Sequence, residues 1–344
     1  VSKKSYLTVL AGCLAAGLLG AAVAQAGTLT SIAIVTPEEA NDFGWNQQGV
    51  AAAQAVADAH HLKLIKAEGA GYGDITPTLR DLASQGAGLI IAHASGYATT
   101  TAEIGTADKI PVAITNRPDL AQPGAIFDYS LSGASGAYLA GVLAADMTKT
   151  GIVGIVVSSE VPAWNLQSSA FAEGAKATKP DLKIRYAVIG PAAYSDVAGA
   201  KRVTASVLAS GADIIFGEGD GATFGMLQAV ETAHPAAGDR DWFIDVIGDK
   251  SGIDTKGHLL SSVLWNFTPV FDHIVDEVES GKPDATPFVP SLQNGAIALL
   301  QTKNIPAEDW AAVMKVRDSI IAGQTKVAPV SDPAQLHKLM AATP

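Results

Sequence analysis

The chain has 344 residues, a formal net charge of −11 at pH 7, and 48% hydrophobic but only 6% aromatic residues. That acidic balance argues against nucleic acid and anionic membrane surfaces as partners, since both repel a negative protein. The single cysteine, Cys13, excludes an intrachain disulfide and any multi-cysteine metal site.

Val1-Ser2-Lys3-Lys4 precedes an apolar run from Tyr6 to Ala24, and Ala24-Gln25-Ala26 forms an A-x-A pattern. A basic start, an apolar stretch and small residues at its exit describe a secretory signal peptide over 1–26. The mature chain is then expected to begin near Gly27 and to be periplasmic. Leu10-Ala11-Gly12-Cys13 has the form of a lipobox. The residues after Cys13 stay apolar, whereas a lipid-anchored protein continues into a polar tether, so soluble export is favoured.

From there strand-like apolar runs alternate with Ala-rich helical stretches, the pattern of a parallel α/β protein. In chain order, strands are predicted at 31–36, 62–67, 88–93, 111–115, 124–128, 151–157, 183–189, 212–217, 243–248 and 259–264. Helices are predicted at 46–60, 76–85, 98–107, 133–148, 165–177, 196–209, 222–234, 269–280 and 306–322. The tail from Gly323 reads as an irregular strap.

The order repeats. Trp45-Asn46 follows one strand and opens a helix, and Trp164-Asn165 does the same about 120 residues later. Ser84-Gln85-Gly86-Ala87 and Ala209-Ser210-Gly211-Ala212 both end a helix at glycine before a buried strand. The chain therefore reads as two doubly wound parallel-sheet lobes joined by a hinge of several crossings. The first is expected over 27–130 plus about 265–300, the second over 131–264 plus about 301–344.

In open α/β sheets ligands bind beyond the carboxyl ends of the strands. Three of the five tryptophans precede asparagine, the third pair being Trp265-Asn266. Trp45, Trp164 and Trp265 would line the cleft and stack on a flat ring. Asn46, Asn165, Asn266 and Asn116 offer donors and acceptors to its edges, although asparagine at such turns also caps helices. Asp128, Asp220 and Asp249 end strands and can accept from ring N–H groups or hydroxyls. Tyr97 follows strand 88–93 on similar terms. Gly217-x-Gly219-x-Gly221 lacks dinucleotide-loop spacing, and the seven histidines show no metal spacing. No cofactor, metal or catalytic residue is expected.

Several stretches carry a family resemblance: Asn41-Asp42-Phe43-Gly44-Trp45-Asn46-Gln47, Leu79 to Ile91, Tyr138 to Gly151, Gly211-Ala212-Asp213-Ile214-Ile215, Val246-Ile247-Gly248-Asp249 and Val263-Leu264-Trp265-Asn266. Together they resemble the basic membrane protein family of ABC-transporter solute-binding proteins, which includes purine nucleoside receptors. The resemblance implies a type I periplasmic binding fold, a purine base or nucleoside as ligand and an inner-membrane permease as partner. It also implies that Trp45 or Phe43 stacks on the base. Nucleoside-binding members carry a lysine near the position of Trp265-Asn266. This chain has none there, which favours a free base over a nucleoside. The rival expectations are an exported nucleoside hydrolase, a sensory receptor and a sugar-binding protein of the same fold.

Overall fold

A computed structural model of the protein describes residues 29–341, apart from 236, 239 and 283–287. The expected signal peptide and Cys13 lie outside the described residues.

The first lobe opens with β1 (Ser31–Val35), all five residues of which are buried. A Ser-Ile-Ala-Ile-Val run, covered on both faces, suits an inner parallel strand. There follow α1 (Trp45–Ala59), β2 (Lys63–Ala67), α2 (Thr76–Ser84), β3 (Ile90–Ala92), α3 (Ala98–Asp108), β4 (Val112–Ile114) and β5 (Ile126–Asp128). The five strands form a parallel sheet in the order β2-β1-β3-β4-β5.

The chain then crosses to the second lobe through α4 (Ala134–Met147). It continues as β6 (Ile152–Val157), α5 (Pro162–Thr178), β7 (Lys183–Val188), α6 (Val197–Ala209), β8 (Ile214–Glu218), α7 (Thr223–Thr232), β9 (Trp242–Ile247) and β10 (Leu259–Trp265). The order β7-β6-β8-β9-β10 repeats that of the first sheet. After β10 the chain returns to the first lobe as α8 (Thr268–Ser280), packed on α1. The last elements are β11 (Ile297–Leu299), α9 (Ala307–Ile321) and α10 (Pro333–Ala341).

The fold is thus α/β with two doubly wound, largely parallel lobes, as the alternation of elements predicts. Two local expectations change. The stretch expected in the first lobe up to about 300 contains β11, which pairs antiparallel with β10 at the edge of the second sheet. The expected irregular tail contains α10, whose start is marked by Asp332 accepting from the Gln335 amide at 2.9 Å just ahead of Pro333.

Lobe two is built around α4, which buries eleven of its fourteen residues, and α5. Two glycines let these helices touch backbone to backbone. A Cβ on Gly141 would sit 2.0 Å from the Phe171 carbonyl oxygen, and one on Gly174 2.1 Å from that of Tyr138. Small residues are required there on steric grounds. Gly141→Ala is expected to push α4 from α5 and cost about 1–3 kcal/mol or more, measurable as a lower urea midpoint in the full chain.

Candidate functional site

Both sheets share the strand order in which the chain reverses direction beside the first strand. The crevice lies there, beyond the carboxyl ends of β1 and β3 in one lobe and β6 and β8 in the other. A cavity of about 230 Å³ occupies this place. Its walls include Glu38 after β1, Ser95 after β3, Trp164 after β6 and Asp220 after β8.

The first wall is set by Asp42. Its Oδ1 accepts from the Gly44 and Gln47 amides at 3.0 Å each, and its Oδ2 from the Asn46 amide at 2.9 Å. These are the orphan donors of a helix start, so α1 begins at Trp45 and presents that indole at the cavity. Oδ2 also takes the Asn46 side-chain N–H at 2.8 Å. Asn46 Oδ1 is left buried without a protein partner.

Trp45 is held on its inner side by His93. The rings stack at 4.1 Å and 14°, and the indole N–H donates to the His93 carbonyl at 2.7 Å. His93 is fully buried. Its Nε2 lies 2.9 Å from the Trp45 carbonyl and its Nδ1 3.0 Å from the Tyr129 hydroxyl. The hydrogen-bond partners therefore assign the proton to Nε2. Burial pushes the imidazole pKa down to about 4, so the ring is neutral at pH 7. Gly49 makes room, since a Cβ there would stand 2.3 Å from His93 Nε2.

The opposite wall comes from the second lobe. Trp164 is 5% exposed and donates to Ser158 Oγ at 3.1 Å. Trp265 lies between the other two indoles, 6.1 Å from Trp45 in an edge-to-face contact and 6.2 Å from Trp164. Its own N–H is buried without a protein partner. Asp220 adopts φ 46°, and Gly44 of the first lobe stands against it: a Cβ there would be 3.3 Å from Asp220 Oδ1. That Oδ1 is also buried and unpartnered. Burial first, and then the neighbouring Asp42 carboxylate, push Asp220 up to about 8.

The lobes are bonded across the cleft. Lys250 Nζ donates to the Phe43 carbonyl at 2.7 Å, and Ser195 Oγ donates to Glu38 at 2.7 Å. Lys250 also lies 3.4 Å from Asp245 in a buried pair. No Lys or Arg lines the cavity among the described residues, whereas Glu38 and Asp220 do. Such a lining disfavours phosphates and other anions.

Of the residues expected at the site, Trp45, Asn46, Asn116, Trp164, Asp220 and Trp265 line the cavity together. The other six are placed elsewhere. Phe43 meets Phe224 edge-on at 6.2 Å, and its carbonyl serves Lys250. Tyr97 is buried, with its hydroxyl on the Gly71 carbonyl. Asp128 accepts from the Arg117 amide at 2.8 Å and the Ser130 hydroxyl at 2.6 Å. Asn165 donates to the Ser331 carbonyl at 2.8 Å and so fastens the C-terminal strap. Asp249 accepts from the Ser251 amide, and Asn266 from the Thr268 amide at the start of α8. Apart from Phe43, whose ring packs on Phe224, each of these side chains is engaged by another protein polar group. Asn116, though it lines the cavity, donates to Ser95 Oγ at 2.6 Å.

The cavity also takes in Glu38, Tyr72, Ser95 and Tyr194, which the sequence reading did not select. Tyr72 had a signal, an aromatic inside Gly69-Ala70-Gly71-Tyr72-Gly73 just past a strand. It is 64% exposed and donates to Glu38 at 3.2 Å. His93 had only its place at a strand end. Elsewhere, His60, Asp276 and Glu279 bring potential metal ligands within 4.8 Å of one another. His60 Nε2 lies 2.9 Å from Asp272 and its Nδ1 3.1 Å from Glu279. Asp272 above all raises its pKa, and the geometry is that of an imidazolium tying α1 to α8.

Residues 29–329 match the family profile described as Bmp, ABC transporter substrate-binding protein PnrA-like. The chain is 26% identical over 343 residues to the ABC transporter nucleoside-binding protein BmpA of Lactococcus lactis subsp. cremoris, covering 93% of this chain and 95% of that protein. It is 26% identical over 226 residues to a purine-binding protein of Brucella abortus, covering 64% of this chain and 61% of that one. A solute-binding protein of an ABC transporter system from Aeropyrum pernix K1 superposes with a TM-score of 0.76 at 15% identity, over 92% of this chain and 98% of that one. That likeness is one of fold.

Two outcomes test the first wall. Gly49→Ala should displace His93 and the indole stacked on it, costing about 1–3 kcal/mol and shifting tryptophan emission. His93, with its folded pKa below the unfolded ~6.5, stabilises fully above that value and loses its contribution as pH falls toward about 4. His93→Gln should therefore flatten the dependence of the urea midpoint on pH across that window.

Proposed function

The chain belongs to the Bmp family of PnrA-like ABC transporter substrate-binding proteins, and from that premise we propose that it captures a purine-type heterocycle between its lobes. One observation carries the reading. Asn46 and Asp220 each keep a buried polar atom without a protein partner, and both line a cavity shared with three indoles. Buried polar atoms are ordinarily satisfied. A flat ring with hydrogen-bonding edges supplies both the apolar faces and the missing partners.

The free base is favoured over the nucleoside. A cavity of about 230 Å³ lies below the ~300–1,000 Å³ typical of drug-sized ligands. Lys250, which bonds across the lobe boundary, is engaged by Asp245 and the Phe43 carbonyl. The relatives named above as nucleoside- and purine-binding support the ligand class, and both are named for binding rather than catalysis. On this reading the ligand touches both lobes and so favours their closure. The closed, exported protein then delivers it to a membrane permease.

Thermal-shift measurements test the proposal, because a ligand of the folded state raises Tm by mass action. Adenine and hypoxanthine should raise Tm, their nucleosides less, and a nucleoside monophosphate not at all. Stabilisation by nucleosides alone would overturn the preference for the base. A response to sugars alone would overturn the heterocycle. Trp45→Ala should weaken adenine binding by about 1.5–3 kcal/mol, the worth of an aromatic face and its burial, read by calorimetry on protein whose Tm shows it folded.

A further inference from the structure

The heterocycle reading leaves open which edge of the ring the protein selects, and two side chains on opposite lobes bear on it. Asn46 commits an N–H to Asp42 at 2.8 Å, and its Oδ1 is left as a buried acceptor with no protein partner in a residue that lines the cavity. Across the lobe boundary stands Asp220, also with an unpartnered, buried Oδ1. Two unpartnered acceptors, one from each lobe, would suit only ligand donors. Asp220, however, lies in surroundings that resist a negative charge. It abuts Gly44 at the start of α1, beside the carboxylate of Asp42 that already fills that helix terminus.

Resting on the heterocycle reading, we infer that Asp220 is a hydrogen-bond donor, a neutral carboxylic acid whose O–H goes to an acceptor on the ring, while Asn46 Oδ1 takes an adjacent N–H. The ligand class is thereby narrowed to heterocycles with an acceptor next to a donor, as at N7 and N6 of adenine. Because the two residues belong to different lobes, one ligand edge bridges the cleft.

The charged and titratable groups facing Asp220 are Asp42 before α1, Lys250 and Asp245 on the β9 side, Tyr72 on the glycine-rich loop and Tyr194 after β7. Lys250 is the single cation among them, and it is shared with Asp245 at 3.4 Å and the Phe43 carbonyl. The Trp45 amide also favours the ionised form. Burial and Asp42 outweigh both, and the carboxyl titrates near 8. Below that value Asp220 can donate; above it the group is acceptor-only and opposes the ring acceptor.

The test is calorimetric titration of the full chain with adenine at about pH 6 and about pH 9, together with Asp220→Asn and Asp220→Gly. Both replacements suit the positive φ of this position. Wild-type affinity should fall roughly tenfold between the two pH values, the loss expected one unit above a titration near 8. Asp220→Asn should bind several-fold more weakly than wild type at about pH 6, since an amide N–H is a weaker donor, but should keep that affinity at about pH 9. Asp220→Gly should bind more weakly than Asp220→Asn and be equally flat. The variants meet the same titration of adenine itself, so only the difference between profiles is attributed to Asp220. Parallel wild-type and Asp220→Asn profiles, or affinity that rises with pH, would overturn the donor role while leaving the heterocycle reading intact. No binding of adenine or hypoxanthine by the wild type at about pH 6 would overturn both.

Discussion

The cleft depends on one carboxylate. Asp42 gathers three backbone N–H groups at the start of α1, and that cap decides where the helix begins. Three consequences follow from its position. The Trp45 indole is delivered onto His93 and into the cavity. One Asn46 N–H is spent on Asp42, while its oxygen stays buried without a protein partner. The Phe43 carbonyl, in a residue with φ 53°, is left for Lys250 of the other lobe. Capping of this kind is worth about 1 kcal/mol in stability. Its larger effect here is geometric, because one side chain orients a stacking surface, an acceptor and a contact between the lobes.

The second lobe places two of its acids behind the cleft. Glu218 and Asp245 are wholly buried, at the end of β8 and on β9. Glu218 is held well above the usual carboxylate range by burial and takes the Ser168 hydroxyl at 2.5 Å. Burial likewise raises Asp245, against the pull of Lys250. Removing one member of such a pair strands the other charge, whereas the intact pair adds little net stability. The arrangement is better understood as fixing the cleft than as stabilising the fold, since Lys250, paired with Asp245, also bonds the Phe43 carbonyl of the first lobe.

The duplication visible in the chain is a duplication of topology. Both sheets run in the same strand order, so their binding ends are equivalent and can face each other. What differs is how each half completes its wall. In the first lobe the indole leans on His93, with Phe267 edge-on at 5.2 Å. In the second, Trp164 is more deeply packed, and α5, which carries it, touches α4 through two glycines. One wall thus presents a half-buried ring and the other a nearly flush surface.

Alternating apolar runs and Ala-rich stretches were enough to determine an α/β chain of two parallel-sheet halves, because burial on both faces leaves an unmistakable continuous pattern. The strand-end positions of Trp45, Asn46, Trp164, Asp220 and Trp265 were equally legible. Only tertiary structure separated these from Asn165, Asn266, Asp128 and Asp249, which occupy the same kind of turn. There a side chain is drawn to whichever polar group lies nearest: the Ser331 carbonyl for Asn165, the Thr268 amide for Asn266, the Ser251 amide for Asp249. The first partner depends on how a distant segment closes, and the other two are bonds within one turn that compete with a ligand. For the same reason Glu38 and Tyr194 emerged only with the lobes together. The chain carries the strands and the residues at their ends, but the state of Asp220, poised between Gly44 and Asp42 of the other lobe, exists only once two remote segments are packed side by side.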